Sequence, residues 1–227
     1  PLMSMPGDKA KVLVLGGGDG LATRELLKYD EVERIDVVDI DPEMTRIASE
    51  LPMLLMLNHE SLLDEKLTIY NEDAFSFINQ PGILYDRVVI DMPDPHNEAI
   101  NKLYSREFYK MIRRRMADNA VLVSQSSSPF FTRNTFWCIE ETLADVFSTT
   151  LSYHTALPSF GIWGFNLASK GGQLNRAIEL SVDTKAITSD SFNSSTYFDK
   201  DLAKVKTPVN SIMEPKLYHL YLEDLSY

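Results

Sequence analysis

The sequence contains a single cysteine, Cys138, which excludes a disulfide within the chain and fits a reducing compartment. It is also short of positive charge. Lys and Arg number 22 against 33 Asp and Glu, a formal net charge of −11. That deficit argues against a face that tracks nucleic-acid phosphates and is compatible with cationic partners or substrates. No apolar run reaches the roughly 18 residues of a membrane span, and no signal peptide is visible. His59, His96, His154 and His219 are scattered, so no metal-ligand cluster is expected. An initiator Met is missing too. Pro1 stands first, which implies a processed product or a piece of something longer.

The 227 residues are enough for one large α/β domain with a real core. Its organising stretch is Val12-Leu13-Val14-Leu15 followed by Gly16-Gly17-Gly18-Asp19-Gly20. Four apolar residues read as a short buried strand, four glycines and an acid as a tight loop, and 21–29 as the helix that follows. Strand, glycine loop and helix form the phosphate- or nucleoside-binding corner of an open α/β sheet.

Further strands are expected at 34–39, 67–70, 85–91 and 120–124, with helices at 42–51, 74–79, 106–116 and 134–147. Asp41, Asp73 and Ser105 are in place to cap three of these helices. Strands at 149–157 and 163–168 lie close enough in sequence to pair antiparallel. Pro52 stops the helix before it, Met53–Leu57 reads as a core or interface cluster, and 92–102 reads as a polar loop. The pattern weakens over 171–208 and ends in a helix at 213–225. The expectation is a doubly wound, mostly parallel, Rossmann-like sheet of the methyltransferase type with an antiparallel edge hairpin. One domain spans 1–227, a core over 1–170 and an extension over 171–227.

In such a sheet ligands lie beyond the carboxyl ends of the strands. Asp19, Asp39, Asp73 and Asp91 all fall there, with Asp94 three residues on. An acid closing the second strand, about 20 residues past the glycines, suits ribose hydroxyls, which assigns Asp39. Asp73 can accept from an adenine amino group, next to Ala74. The loop is no P-loop, since no Gly-Lys-Ser/Thr follows. Asp19 inside it would repel a pyrophosphate, or the carboxylate of S-adenosylmethionine, and attract an amine. An adenosyl sulfonium carrying an amine without a carboxylate fits best.

These residues resemble the spermidine synthase family of polyamine aminopropyltransferases. The likeness rests on Gly16-Gly17-Gly18-Asp19-Gly20, Asp39, Asp73-Ala74 and Asp91-Met92-Pro93-Asp94-Pro95. It extends through Leu103-Tyr104-Ser105-Arg106-Glu107-Phe108-Tyr109, Gln125 and Gly161-Ile162-Trp163-Gly164-Phe165. The tail around Tyr197-Phe198-Asp199 and Val209-Asn210-Ser211 looks like the bacterial branch whose synthase domain follows membrane spans. The sequence departs from the family at three places. The N-terminal β-region has no counterpart, Asn97-Glu98 replace Gly-Pro, and Pro158-Ser159-Phe160-Gly161 replace Pro-Thr-Tyr-Pro-Ser-Gly.

The resemblance implies aminopropyl transfer from decarboxylated S-adenosylmethionine, a co-substrate, to putrescine or a similar diamine. No prosthetic group is implied. It makes Asp91 the base, Asp94 the holder of the attacking amine and Asp19 the holder of the aminopropyl amine. Gly16, Gly17, Gly18, Asp39, Asp73 and Ala74 would cradle the nucleoside, with Gln125 and Tyr197 in the diamine pocket. A cytoplasmic location follows, tethered to the inner membrane if the parent chain carries membrane spans, and a homo-oligomer is compatible with it. Two rival readings stay open: an S-adenosylmethionine-dependent methyltransferase on the same fold, and a non-catalytic nucleoside-binding domain.

Overall fold

The computed structural model describes residues 1–226. Seven strands, β1 (Lys11–Gly16), β2 (Arg34–Val38), β3 (Leu67–Tyr70), β4 (Tyr85–Asp91), β5 (Met116–Gln125), β6 (Thr149–Leu157) and β7 (Gly161–Ser169), form one sheet. Their order is β3-β2-β1-β4-β5-β7-β6. The first five run parallel, and β7 and β6 close the far edge antiparallel, as the sequence pattern implies. The helices are α1 (Leu21–Leu26), α2 (Pro42–Glu50), α3 (Pro52–Asn58), α4 (Ala74–Asn79), α5 (Glu98–Asn101), α6 (Arg106–Arg114), α7 (Arg133–Ala144), α8 (Ser189–Ser195) and α9 (Lys216–Asp224).

Val12 to Leu15 are all fully buried, because a central parallel strand is covered on both faces. Leu13 and Leu15 join α4, α6 and α7 in the largest core cluster, whereas Val12 and Val14 pack with Leu26 of α1 on the opposite face. The 171–208 stretch, patternless in sequence, covers part of the sheet. Ile178 and Phe192 pack on Val121, Leu151, Tyr153 and Leu167.

Pro52 ends the helix before it, as expected, and two other local expectations are corrected. Leu51 is extended, as the residue before a proline favours, and Pro52 then opens α3 as its first residue. Met53 and Met56 on that helix are 60% and 70% exposed, so the apolar cluster is not core. The 92–102 loop contains α5 and runs into a 3-10 turn at Lys102–Tyr104, started by the Asn97 side chain accepting from the Ile100 N–H at 2.9 Å.

β1 is flanked by β2 and β4, so the chain reverses its winding direction between β1 and β4. A crevice opens at that switch point, beyond the carboxyl ends of the strands.

Candidate active site

A cavity of about 640 Å³ fills the crevice. The loop after β1 forms its floor. Gly16 pairs with Asp91 across the parallel ladder and takes φ +83°, a left-handed conformation that glycine accommodates. Gly18 must lack a side chain for a different reason. A Cβ there would lie 2.6 Å from Asp39 Oδ2, the atom that accepts the Gly18 N–H at 2.8 Å. The loop and the end of β2 are thereby locked together.

Each acid expected from the sequence lies where a strand ends. Asp19 Oδ1 accepts from the Leu21 N–H at 2.9 Å, starting α1. Asp39 holds Gly18 with one oxygen and the Asp41 N–H with the other, at 2.9 Å. Asp73 caps α4 through the Phe75 N–H at 2.9 Å, and its second oxygen meets Lys102 Nζ at 2.8 Å. Burial works to raise the Asp73 carboxyl, but the bonds from Lys102 and Phe75 and the Lys102 charge together hold it below its ordinary value. Ala74 lines the cavity beside it.

Asp91 differs from these three. It faces the cavity at the end of β4, and no hydrogen bond reaches its carboxylate from the described residues. Enclosure by protein raises its pKa, and the charges of Asp19 and Asp39 raise it further. Asp94 sits between Pro93 and Pro95. Gln125 Nε2 approaches one of its oxygens at 3.4 Å and the Tyr221 hydroxyl donates to the other at 3.3 Å. Burial raises the Asp94 pKa against the lowering effect of the hydrogen bonds from Gln125 and Tyr221.

Gln125 is the strut of this corner. Its amide donates to the Met92 carbonyl at 2.6 Å and to the Tyr104 hydroxyl at 3.0 Å. Its oxygen accepts from the Ser127 N–H at 3.0 Å and from Trp163 Nε1 at 3.1 Å. Asp94 and Gln125 are not among the residues that line the cavity, and Tyr197 is not brought to it at all. Its ring is 61% exposed and stacks beneath the Arg176 guanidinium at 5.0 Å, while its neighbour Phe198 packs on Trp137. Sequence reasoning missed Lys102 and Tyr221. Lys102 falls in a stretch read as loop, and Tyr221 in a helix remote from every motif.

Five carboxylates (Asp19, Asp39, Asp41, Asp73 and Asp91) line the cavity, with Lys102 as its one lining cation among the described residues. Since Lys102 is engaged by Asp73, the remaining field favours a cationic ligand. Ile40, Met44, Ile100 and Leu103 supply apolar wall for a flat ring.

Fold and cavity together define a class: an open, doubly wound α/β domain with an acidic crevice at its switch point. The chain belongs to the spermine/spermidine synthase family, whose domain matches residues 1–179. It is 37% identical over 225 residues to a polyamine aminopropyltransferase of Oceanobacillus iheyensis, and 40% identical over 220 residues to one of Leptospira interrogans. Both matches cover 97% of this chain and 44% of the relative, so the chain spans less than half the length of these relatives. The fold matches a crystal structure of spermidine synthase in complex with the transition-state analogue AdoDATO. The TM-score is 0.77 at 22% identity, over 89% of this chain and 70% of that one. The Thermotoga maritima spermidine synthase superposes with a TM-score of 0.77 at 23% identity, over 89% and 71% of the two chains. No helix among the described residues is long and apolar enough to cross a membrane.

Proposed function

We propose that this chain, acting as one domain over 1–227, transfers an aminopropyl group from decarboxylated S-adenosylmethionine to putrescine or a similar diamine. The products are spermidine and methylthioadenosine. The observation that carries the reading is Asp91: a carboxylate without a donor among the described residues, raised in pKa, facing a cavity of like charge.

Asp39 accepts from the ribose hydroxyls and Asp73 from the adenine amino group, and Asp19 attracts the amine of the aminopropyl chain. Asp94 holds the incoming ammonium. An amine of this kind is protonated at neutral pH, near the model lysine pKa of about 10.4. It gives a proton to Asp91, and its nitrogen attacks the carbon next to the sulfonium. The carbon–nitrogen bond forms as the carbon–sulfur bond breaks, and the sulfur leaves as a neutral thioether. Alignment of nitrogen, carbon and sulfur supplies much of the rate. The sulfonium already activates the carbon, and no prosthetic group enters these steps.

The direct test incubates the protein with putrescine and either decarboxylated or intact S-adenosylmethionine, and measures spermidine and methylated products. Spermidine formed with the decarboxylated donor is the expected result. Methyl transfer from the intact donor would overturn the reading in favour of a methyltransferase. Binding of methylthioadenosine with neither product would favour a non-catalytic domain.

Two variants probe the nucleoside end. Asp39→Ala weakens methylthioadenosine binding by about 1.5–3 kcal/mol, the scale of a lost hydrogen bond to a charged group. Calorimetry reads it, and unchanged affinity would remove Asp39 from the ribose site. Asp19→Asn narrows the preference for the decarboxylated donor, because a charge that repels the donor carboxylate is gone. An unaltered ratio of the two donor affinities would show that Asp19 is not the discriminator.

A further inference from the structure

The C-terminal helix reaches the corner that holds Asp94. α9 is anchored along its length. Leu217 is fully buried, and the Asp224 carboxylate accepts from the N–H and hydroxyl of Thr135 at 2.9 and 2.8 Å, in the first turn of α7. Upstream, buried Asn210 donates to the carbonyls of Asn101 and Tyr104, both at 3.2 Å, and accepts from the Leu217 N–H at 3.2 Å. Asn101 in turn accepts from the Tyr218 N–H at 3.0 Å. The helix is thus tied to the segment between β4 and α6, whose residues Ile100, Lys102 and Leu103 line the cavity.

Within this frame the Tyr221 hydroxyl meets Asp94 Oδ2 at 3.3 Å, while Gln125 from β5 approaches Oδ1 at 3.4 Å. Each oxygen is steadied by one side chain, and each keeps a lone pair for a ligand. Burial first, then the Asp94 charge, pushes the Tyr221 phenol up to about 12, so it remains a donor across the neutral range.

We propose that Tyr221 is a positioning residue for the acceptor amine, holding the Asp94 carboxylate in the orientation that receives an ammonium group of the diamine. The C-terminal extension is then part of the amine site rather than packing alone. This rests on the reading of Asp94 as the amine holder. The polar and titratable groups facing Asp94 are Gln125 and Ser127 at the end of β5, His96 on its own loop, buried Tyr104 before α6, and Tyr221 on α9. Of these, Gln125 and Tyr221 favour the ionised carboxylate by hydrogen bonding and His96 by charge. Loss of the Tyr221 donor therefore raises the Asp94 pKa further.

The experiment compares Tyr221→Phe, Asp94→Asn and the double variant with the unaltered protein, in the longest reading frame that carries this sequence. Putrescine is varied across a pH series, and methylthioadenosine affinity is measured by calorimetry. Tyr221→Phe should raise the KM for putrescine about 5- to 20-fold, between the upper end for an ordinary hydrogen bond and the lower end for one to a charged group. The expected kcat stays within about two-fold, methylthioadenosine affinity is unchanged, and the acidic limb of kcat/KM moves to higher pH. In the Asp94→Asn background the same change should add nothing, because the coupled partner is gone. An unmoved KM and pH profile in Tyr221→Phe, with KM raised in Asp94→Asn, would overturn the role of Tyr221. So would loss of methylthioadenosine binding in Tyr221→Phe, which marks a structural effect. An unmoved KM in Asp94→Asn would instead overturn the underlying assignment of Asp94, and the proposal with it.

Discussion

Asp91→Asn lowers turnover by about 10²–10⁴, the usual contribution of a general base, while methylthioadenosine binding changes little. The carboxylate has no donor among the described residues, so the substitution removes a proton acceptor without breaking an internal bond. Asp39 and Asp73 keep their own hydrogen bonds to the Gly18 and Phe75 N–H groups, so the proposed nucleoside site is left intact. Raising the pH should partly rescue the variant, because more diamine is neutral before it binds. The same variant should be slightly the more stable protein, the effect being small because the Asp91 side chain is exposed at the cavity and screened by solvent. Asp91 has a raised pKa in the fold, so folded protein binds its proton more tightly than the unfolded chain. Its stabilising contribution is therefore present at low pH and is lost as pH rises through the raised value. At neutral pH the ionised group opposes folding, and Asn relieves that. A pair of pH–rate profiles with putrescine varied, and urea denaturation at pH 7, check the two halves. Near-normal turnover in Asp91→Asn would pass the role of base to Asp94 or a water chain. A lower urea midpoint would show that the carboxylate is stabilising after all.

The acids are legible because each closes an apolar run or follows one within four residues. Asp39 follows Val37-Val38, and Asp91 follows Val88-Val89-Ile90. Once the strands are placed, the switch-point rule brings their ends together, and the cavity is lined by Asp19, Asp39, Asp73 and Asp91. The antiparallel edge was legible for a similar reason, two β-rich runs separated by a short turn. Contacts between distant segments were not. Lys102 lies 29 residues from Asp73, and Tyr221 lies 127 residues from Asp94, with no local period joining either pair. The α3 surface failed differently. Met53 and Met56 have core-like composition, but helix phase turns them outward, and a run of apolar residues without interruption carries no phase. Tyr197 was singled out through resemblance of the tail. In the fold its neighbour Phe198 is the residue that packs inward, and Tyr197 is left against Arg176.

Gly16→Ala is expected to damage stability and site together. Two costs combine at this position. A left-handed φ of +83° costs a residue with a Cβ about 1–2 kcal/mol. The new methyl would also overlap the Asp91 carbonyl oxygen and lie 2.9 Å from the carbonyl carbon. Both atoms are backbone, so no rotamer change relieves the clash. β1 and β4 must separate where Gly16 pairs with Asp91, at the centre of the sheet. Overpacking in a rigid interior adds about 1–3 kcal/mol. The total, about 2–5 kcal/mol, is a large share of the 5–15 kcal/mol that holds a domain together. Any separation also moves Asp91, which ends β4, away from Asp39 and the glycine loop, so methylthioadenosine binding and turnover should fall with stability. Gly171→Ala is the control. The nearest heavy atom to a Cβ there is 3.5 Å away, an ordinary contact, and its φ lies outside the left-handed range. Urea denaturation of the two variants, with methylthioadenosine calorimetry on each, makes the comparison. A Gly16→Ala midpoint equal to that of Gly171→Ala would mean that β1 and β4 can part without cost. The close approach at Gly16 would then not be what fixes Asp91 in the cavity.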